Sequence, residues 1–326
     1  MARPRVGFLG VGWIGRHRME KMLATGAIEA AAIADPSDEM AGEALKLAPG
    51  AVRVEGLDGL LAQGLDGLVI ATPSALHAEQ SIRGLDAGIA VFCQKPLGRT
   101  AAESSRVVEA ARKADRLLAV DLSYRFTQGM RRVRELIGSG DLGRVFAADL
   151  VFHNAYGPDK PWFYDPELSG GGCVMDLGVH LVDLALWAFD FPEVRGASAQ
   201  LLARGEPLQP GTVEDYAVAQ LELEGGASIR LACSWNLPAG QEAVISASFY
   251  GTAGGAALSN VGGSFYDFKA ERYRGTATET LVSPPDEWGG RAAADWAVRL
   301  GAGARFDPGA ERLVDVSRAL DRIYGR

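Results

Sequence analysis

The chain has 326 residues, 48% hydrophobic and 23% charged, with a formal net charge of −8. That length predicts roughly two domains, and the composition is that of an ordinary globular protein. The acidic balance excludes the clustered basic surface that sequence-independent nucleic-acid binding needs, and Arg131, Arg132 and Arg134, the densest basic run, read as the solvated face of a helix.

From residue 5 to about 121, short apolar runs alternate with helical segments. The strand candidates are Val6–Leu9, Glu29–Ala34, Val52–Val54, Gly67–Ala71, Ala90–Cys93 and Leu117–Val120. Helical candidates between them are Ile14–Ala24, Asp38–Leu47, Leu57–Ala62, Ala75–Ala87 and Ala101–Ala114. Such βαβ units predict a parallel sheet covered on both faces, a doubly wound α/β Rossmann fold.

The first turn of this pattern carries Gly10, Gly12 and Gly15, spaced G-x-G-x-x-G directly after the apolar run. Gly10 permits a tight turn, Gly12 lets backbone touch a pyrophosphate, and Gly15 lets helix and strand pack closely. Trp13 and Ile14 open the helix, whose N–H groups and dipole favour a diphosphate. Asp35 ends the second apolar segment, twenty residues after Gly15, where a carboxylate accepts from the adenosine ribose hydroxyls. Two more clusters fall at strand ends, where open α/β sheets bind ligands. One is Thr72-Pro73 with His77 a turn later, and the other is Gln94-Lys95-Pro96.

After residue 122 the pattern changes. A helix at Gln128–Ile137 precedes a long strand, Gly143–His153, and an irregular aromatic segment from Asn154 to Leu168. Glycines 170–172 then open an apolar helix, Cys173–Phe189. Strands follow at Val194–Arg204, Val213–Leu223, Ala227–Trp235 and Glu242–Tyr250, and helices at Arg291–Leu300 and Ala310–Tyr324 close the chain. The reading is a dinucleotide-binding domain over 1–122 and an α+β domain over 123–326 with a large, mostly antiparallel open sheet, its last helix free to pack back on the first domain. One face of such a sheet needs cover, so a homodimer or homotetramer through it is expected.

Asp176 and His180 stand four apart, on one helical face among apolar neighbours. They carry chemistry, or they bond each other or the backbone; spacing allows both. The four histidines show no metal-ligand spacing, and Cys93, Cys173 and Cys233 form no C-x-x-C pair. No run approaches the roughly 20 apolar residues of a membrane span. The N-terminus runs directly into a strand with no leader, so a cytoplasmic protein is expected.

G-V-G-W-I-G at 10–15, A-T-P-S at 71–74, Lys95-Pro96, Tyr124-Arg125-Phe126 and D-L-G-V-H-L-V-D at 176–183 occur in this order. The chain thereby resembles, over nearly its whole length, the glucose–fructose oxidoreductase, inositol 2-dehydrogenase and rhizopine-catabolism (Gfo/Idh/MocA) family. The resemblance implies NAD-linked hydride transfer at a sugar, cyclitol or polyol hydroxyl. It maps catalysis onto Lys95, Asp176 and His180, with His180 as acid/base and Lys95 stabilising the alkoxide. An ammonium from the first half and an imidazole from the second are then expected beside the same nicotinamide carbon. One departure is Gln94, where the family usually has Glu, so the residue before Lys95 carries no charge. NAD is favoured over NADP because Asp35 repels a 2′-phosphate, although Arg16 reaches that area. Tyr124, His153, Asn154, Tyr156, Trp162 and Tyr164 are the substrate-binding candidates. The same scaffold also suits an NAD-dependent glycosidase working through transient oxidation, or a non-catalytic dinucleotide sensor.

Overall fold

A computed structural model describes residues 2–326, which divide into two compact units, residues 2–121 with Gly289–Val314, and Leu122–Trp288 with Asp315–Arg326. The first unit alternates β1 (Arg5–Leu9), α1 (Trp13–Ala24), β2 (Glu29–Ala34), α2 (Asp38–Leu47), β3 (Val52–Arg53), α3 (Gly56–Leu61), β4 (Gly67–Ile70), α4 (Ser74–Asp86), β5 (Ala90–Cys93), α5 (Ala101–Ala114) and β6 (Leu118–Val120). The six strands run parallel in the order β3-β2-β1-β4-β5-β6, the doubly wound topology, with its switch point between β1 and β4. Every residue of β4 and β5 is buried, as a strand covered on both faces requires.

The second unit contains α6 (Gln128–Gly138), β7 (Val145–Asn154), α7 (Pro166–Ser169), α8 (Val179–Ala188), β8 (Val194–Ala203), β9 (Glu206–Pro207), β10 (Tyr216–Leu223), β11 (Ser228–Ser234), β12 (Ala243–Gly251), β13 (Gly255–Asn260), β14 (Phe268–Arg274) and β15 (Ala277–Val282). Its nine strands are ordered β15-β14-β13-β12-β7-β11-β10-β8-β9, antiparallel except for the β7/β11 pair. Register places Ala219, Leu231, Leu150, Ala247, Leu258 and Ala270 in one buried row across six strands. The adjacent row, Val218, Ala232, Val151, Ser246 and Ser259, faces the other side and is half-buried.

Two features depart from the sequence expectations. Residues 289–314 belong with the first unit, through α9 (Arg291–Gly301) and the start of α10 (Arg312–Tyr324). There the fully buried Trp296 faces Gly67, whose added Cβ would stand 2.8 Å from the indole. Second, the helical run Pro166–Ala188 has the length and apolar composition of a membrane span, contrary to the count of apolar residues above. It is mostly buried in the protein, as a core helix is.

Candidate active site

The glycine turn after β1 divides its work among three residues. Gly10 has φ +81°, and a Cβ there would lie 2.5 Å from the Ala71 carbonyl oxygen. A Cβ on Gly15 would lie 2.2 Å from the Gly10 oxygen, so α1 can approach β1 only without it. A Cβ on Gly12 meets nothing within 4 Å, so the fold leaves open space at that residue. No side chain caps α1, which leaves its first-turn N–H groups for a ligand. Trp13, at the head of α1, is exposed, and Ile14 is half-buried.

Asp35 lies beside this turn. Its two oxygens accept from Val11 N and Ser37 N, each at 2.8 Å, and a carboxylate retains further lone pairs for ribose hydroxyls. Arg16 Nη1 is buried with no hydrogen-bond partner among the described residues. An open glycine, an uncapped helix start, an acceptor carboxylate and an unsatisfied guanidinium nitrogen together fit the diphosphate and adenosine ribose of NAD.

The strand-end clusters sort differently. Thr72 Oγ1 donates to Gln80 Oε1 at 2.7 Å, and Pro73 occupies the N-cap position of α4 without a side-chain cap. His77, expected at the cofactor, is buried, with Nδ1 2.7 Å from the Pro96 oxygen and Nε2 2.7 Å from the Thr72 oxygen. Both ring nitrogens thus face main-chain carbonyls of the loops after β4 and β5, and the neutral ring donates its single N–H to one of them. Burial holds its pKa below the ordinary value, against the pull of those two carbonyls, and the Lys95 ammonium adds to the depression. Lys95 itself is half-buried at the end of β5, ahead of a cis peptide to Pro96. Gln94 is buried, and its Nε2 donates to Asp121 Oδ2 at 2.7 Å. The same oxygen accepts from Arg18 Nε at 2.6 Å. Sequence reasoning missed Arg18 and Asp121. The available signal was an arginine on the α1 face that also carries Gly15, Met19 and Met22, all buried.

In the second unit, Val174–Gly178 forms a wide helical turn in which Val179 N–H reaches back five residues to the Val174 oxygen. Such turns recur at functional sites. Asp176 Oδ2 accepts from Trp235 Nε1 at 3.0 Å. His180 is 7% exposed, with its ring 5.0 Å from Tyr124 (edge-on) and 6.3 Å from Phe152. Tyr124, expected to bind substrate, is 4% exposed, and its ring also packs on Phe268 and Trp288. Its face stacks on Trp288, and it meets His180 edge-on. Arg125 grips the buried Asp183 with two hydrogen bonds and lies 5.1 Å above Phe191, which locks the chain before α6.

The aromatic segment after β7 is open. Tyr156 is exposed, and Trp162 stacks on Phe163 at 3.8 Å between ring centroids. Tyr164 donates to the Pro158 oxygen at 3.0 Å and meets Trp235 at 5.6 Å. Asn154 Oδ1 is buried with no hydrogen-bond partner among the described residues. His153 is held by Ser234 Oγ at 2.7 Å and stacks on Tyr216, and burial lowers its pKa.

The glycines before Asp176 answer to a buried carboxylate. Glu214 accepts from Gly172 N at 3.0 Å, Val174 N at 2.9 Å and Tyr324 Oη at 2.8 Å. A Cβ on Gly172 would lie 1.9 Å from the Glu214 main-chain oxygen, and one on Gly171 would lie 2.0 Å from Tyr324 Oη. Burial pushes the Glu214 carboxyl up, against the backbone donors that favour its charge.

The D-glucoside 3-dehydrogenase of Escherichia coli (strain K12) is 30% identical over 212 residues, 61% of this chain and 60% of that protein. An inositol 2-dehydrogenase of Rhodococcus erythropolis is 33% identical over 227 residues, 68% of this chain and 62% of that protein. The matched stretches therefore span less than two thirds of these relatives' own lengths. The crystal structure of GenD2 from gentamicin A biosynthesis, in complex with NAD, has the same fold, with TM-score 0.83 and 24% identity over 100% of this chain and 94% of that one. Levoglucosan dehydrogenase with NADH and levoglucosan gives TM-score 0.84 at 20% identity over 99% and 97%. Residues 4–122 match the oxidoreductase family with an NAD-binding Rossmann fold, and residues 130–257 match its GFO/IDH/MocA C-terminal domain. The chain belongs to the Gfo/Idh/MocA oxidoreductase family.

Proposed function

We propose that the chain transfers hydride between a hydroxyl-bearing carbon of a sugar, cyclitol or related polyol and NAD. The observation that carries this reading is the setting of Asp176 and His180. Both sit on one wide helical turn and its continuation, Asp176 tied to Trp235 and His180 walled by Tyr124 and Phe152. The glucoside and inositol dehydrogenases among its relatives support the substrate class.

NAD supplies the hydride acceptor when bound. Gly12, the first turn of α1, Arg16 and Asp35 hold its diphosphate and adenosine ribose. His180 takes the proton of the substrate hydroxyl, since an imidazole suits proton transfer near neutral pH. The role assigned to Lys95 is that of a cation, which stabilises an oxygen on which negative charge develops. Asp176 accepts from a neighbouring substrate hydroxyl. Tyr156 and Trp162 supply flat surfaces for a sugar ring, and Asn154 a polar contact. A panel of cyclitols, aldoses and sugar acids with NAD, followed by absorbance of the reduced cofactor, tests the activity. His180→Ala and Lys95→Ala are expected to lower kcat by about 10²–10⁴-fold. Full turnover in either variant overturns the roles, and a tenfold tighter Kd for NADP overturns the choice of NAD.

The reading includes assembly through the nine-stranded sheet. Its outward row of Val218, Ala232, Val151, Ser246 and Ser259 consists of small or aliphatic half-buried side chains, the kind of surface a second copy covers. Light scattering at micromolar concentration is expected to give at least twice the chain mass, and a monomer counts against it.

A further inference from the structure

The trio of Arg18, Asp121 and Gln94 has no part in the mechanism above, yet it is among the most deeply buried polar clusters of the first unit. Arg18 and Asp121 are each 1% exposed and Gln94 is 7% exposed. They come from α1, from the residue after β6 and from the residue after β5. Arg18 Nε and Gln94 Nε2 converge on one oxygen, Asp121 Oδ2, at 2.6 and 2.7 Å. A buried ion pair persists only where its geometry is good and its remaining atoms are satisfied.

The chemistry fixes which end of the amide faces inward. A carboxylate is an acceptor only, so Gln94 must present its NH₂ to Asp121. Its carbonyl oxygen then points away from Asp121 and is the one acceptor the side chain has left. That oxygen stands at the carboxyl end of a sheet strand, where this fold takes its ligands.

We propose that Asp121, held by Arg18, is a positioning residue that locks the Gln94 carboxamide with its oxygen presented to a ribose hydroxyl on the nicotinamide side of NAD. The proposal rests on the dinucleotide reading given above. The negative charge beside Gln94 stands one side chain deeper, at 121, and Arg18 neutralises it. The ligand meets a neutral acceptor of fixed orientation. Charged or titratable groups near the trio include Lys95, next in the chain, and His17 on α1, whose Nδ1 lies 2.7 Å from Arg18 Nη1. Glu20 and Lys21 on the same helix act on His17.

Three variants test this: Gln94→Glu, Asp121→Asn and the double variant Gln94→Glu/Asp121→Asn. Gln94→Glu sets two carboxyl groups in hydrogen-bond contact, and they share one proton. NAD is titrated by quenching of tryptophan fluorescence, and Tm is read on the protein without cofactor. Gln94→Glu is expected to raise the Kd for NAD about tenfold at about pH 8, with recovery towards about pH 6. Its Tm, relative to the parent protein, falls over the same rise in pH. Asp121→Asn alone strips Arg18 of its counter-charge and lowers Tm at every pH. The double variant keeps one carboxylate beside Arg18, and it is expected to restore Kd to within about threefold and to abolish the pH dependence of Tm. Parent-like Kd and pH profile in Gln94→Glu overturn the proposal, as does a double variant no better than that single one. A parent protein that binds no NAD overturns the dinucleotide reading instead, and the Tm profile of Gln94→Glu still reports whether residues 94 and 121 touch.

Discussion

A single methyl group separates the jobs of the glycines in the turn after β1. Gly12 has ordinary backbone angles, φ −57° and ψ −172°, and an added Cβ there meets no protein atom within 4 Å. Gly12→Ala is therefore expected to leave Tm within about 1 °C of the parent while raising the Kd for NAD about tenfold or more, because the methyl occupies space the diphosphate needs. Gly15→Ala drives its Cβ into the Gly10 oxygen, so it is expected to lose stability and binding together, by about 2 kcal/mol or more in denaturant unfolding. Equal stability loss in both variants refutes the division. Residue identity made the turn legible because backbone geometry demands glycine at 10 and 15, while Gly12 and Asp35 stand at known distances from a strand. The burial of His77 and Tyr124 was not legible, because a strand-end side chain turned under the loops has the same sequence address as one turned outward. Only the carbonyls of Thr72 and Pro96, and the rings around Tyr124, tell them apart.

The element that matters most for chemistry is the turn running from Gly170 into α8, and it is held from outside. Its leading N–H groups are satisfied by Glu214, which stands just ahead of β10, and Tyr324 near the end of α10 closes on the same carboxylate. Glu214→Ala leaves three buried donors without an acceptor, an expected loss of about 3 kcal/mol in unfolding free energy. Glu214→Gln keeps an amide oxygen for part of that set, and Tyr324→Phe removes one donor, so each is expected to cost about 1 kcal/mol. Chemical denaturation gives the ranking, and an Ala variant as stable as the Gln variant contradicts the capping role. The apolar helix itself was plain in the sequence, but its wide first turn was not, since five-residue spacing leaves no periodic mark in so short a run. The same limit hid β13 to β15. Stretches such as Lys269–Arg274 and Ala277–Val282 alternate with charged or small polar residues and lack the apolar face that announced the earlier strands. The parallel β7/β11 pairing was also invisible, because it is set by the path of the whole sheet.

At the scale of the molecule, the buried histidines bind folding to pH. Burial depresses the pKa of His77, His153 and His17, and the neighbouring Arg18 adds to the effect on His17. A histidine whose folded pKa lies below its unfolded value, about 6.5, stabilises the fold above that value and loses the contribution as pH falls through the folded pKa. Glu214 and Asp183 run the other way. Burial raises both carboxyls, against the Arg125 guanidinium in the case of Asp183, so their contribution is complete below the ordinary carboxylate range and declines as pH rises. The two sets oppose each other in mildly acidic solution, and the net slope alone does not identify a group. His77→Gln isolates one. It retains a polar side chain between the Thr72 and Pro96 carbonyls but cannot titrate, so its Tm is expected to fall less than that of the parent between about pH 7.5 and pH 5.5. A variant with a lower Tm but the parental slope shows instead that His77 carries the same charge folded and unfolded, and that its burial leaves the acid response of the fold unaffected.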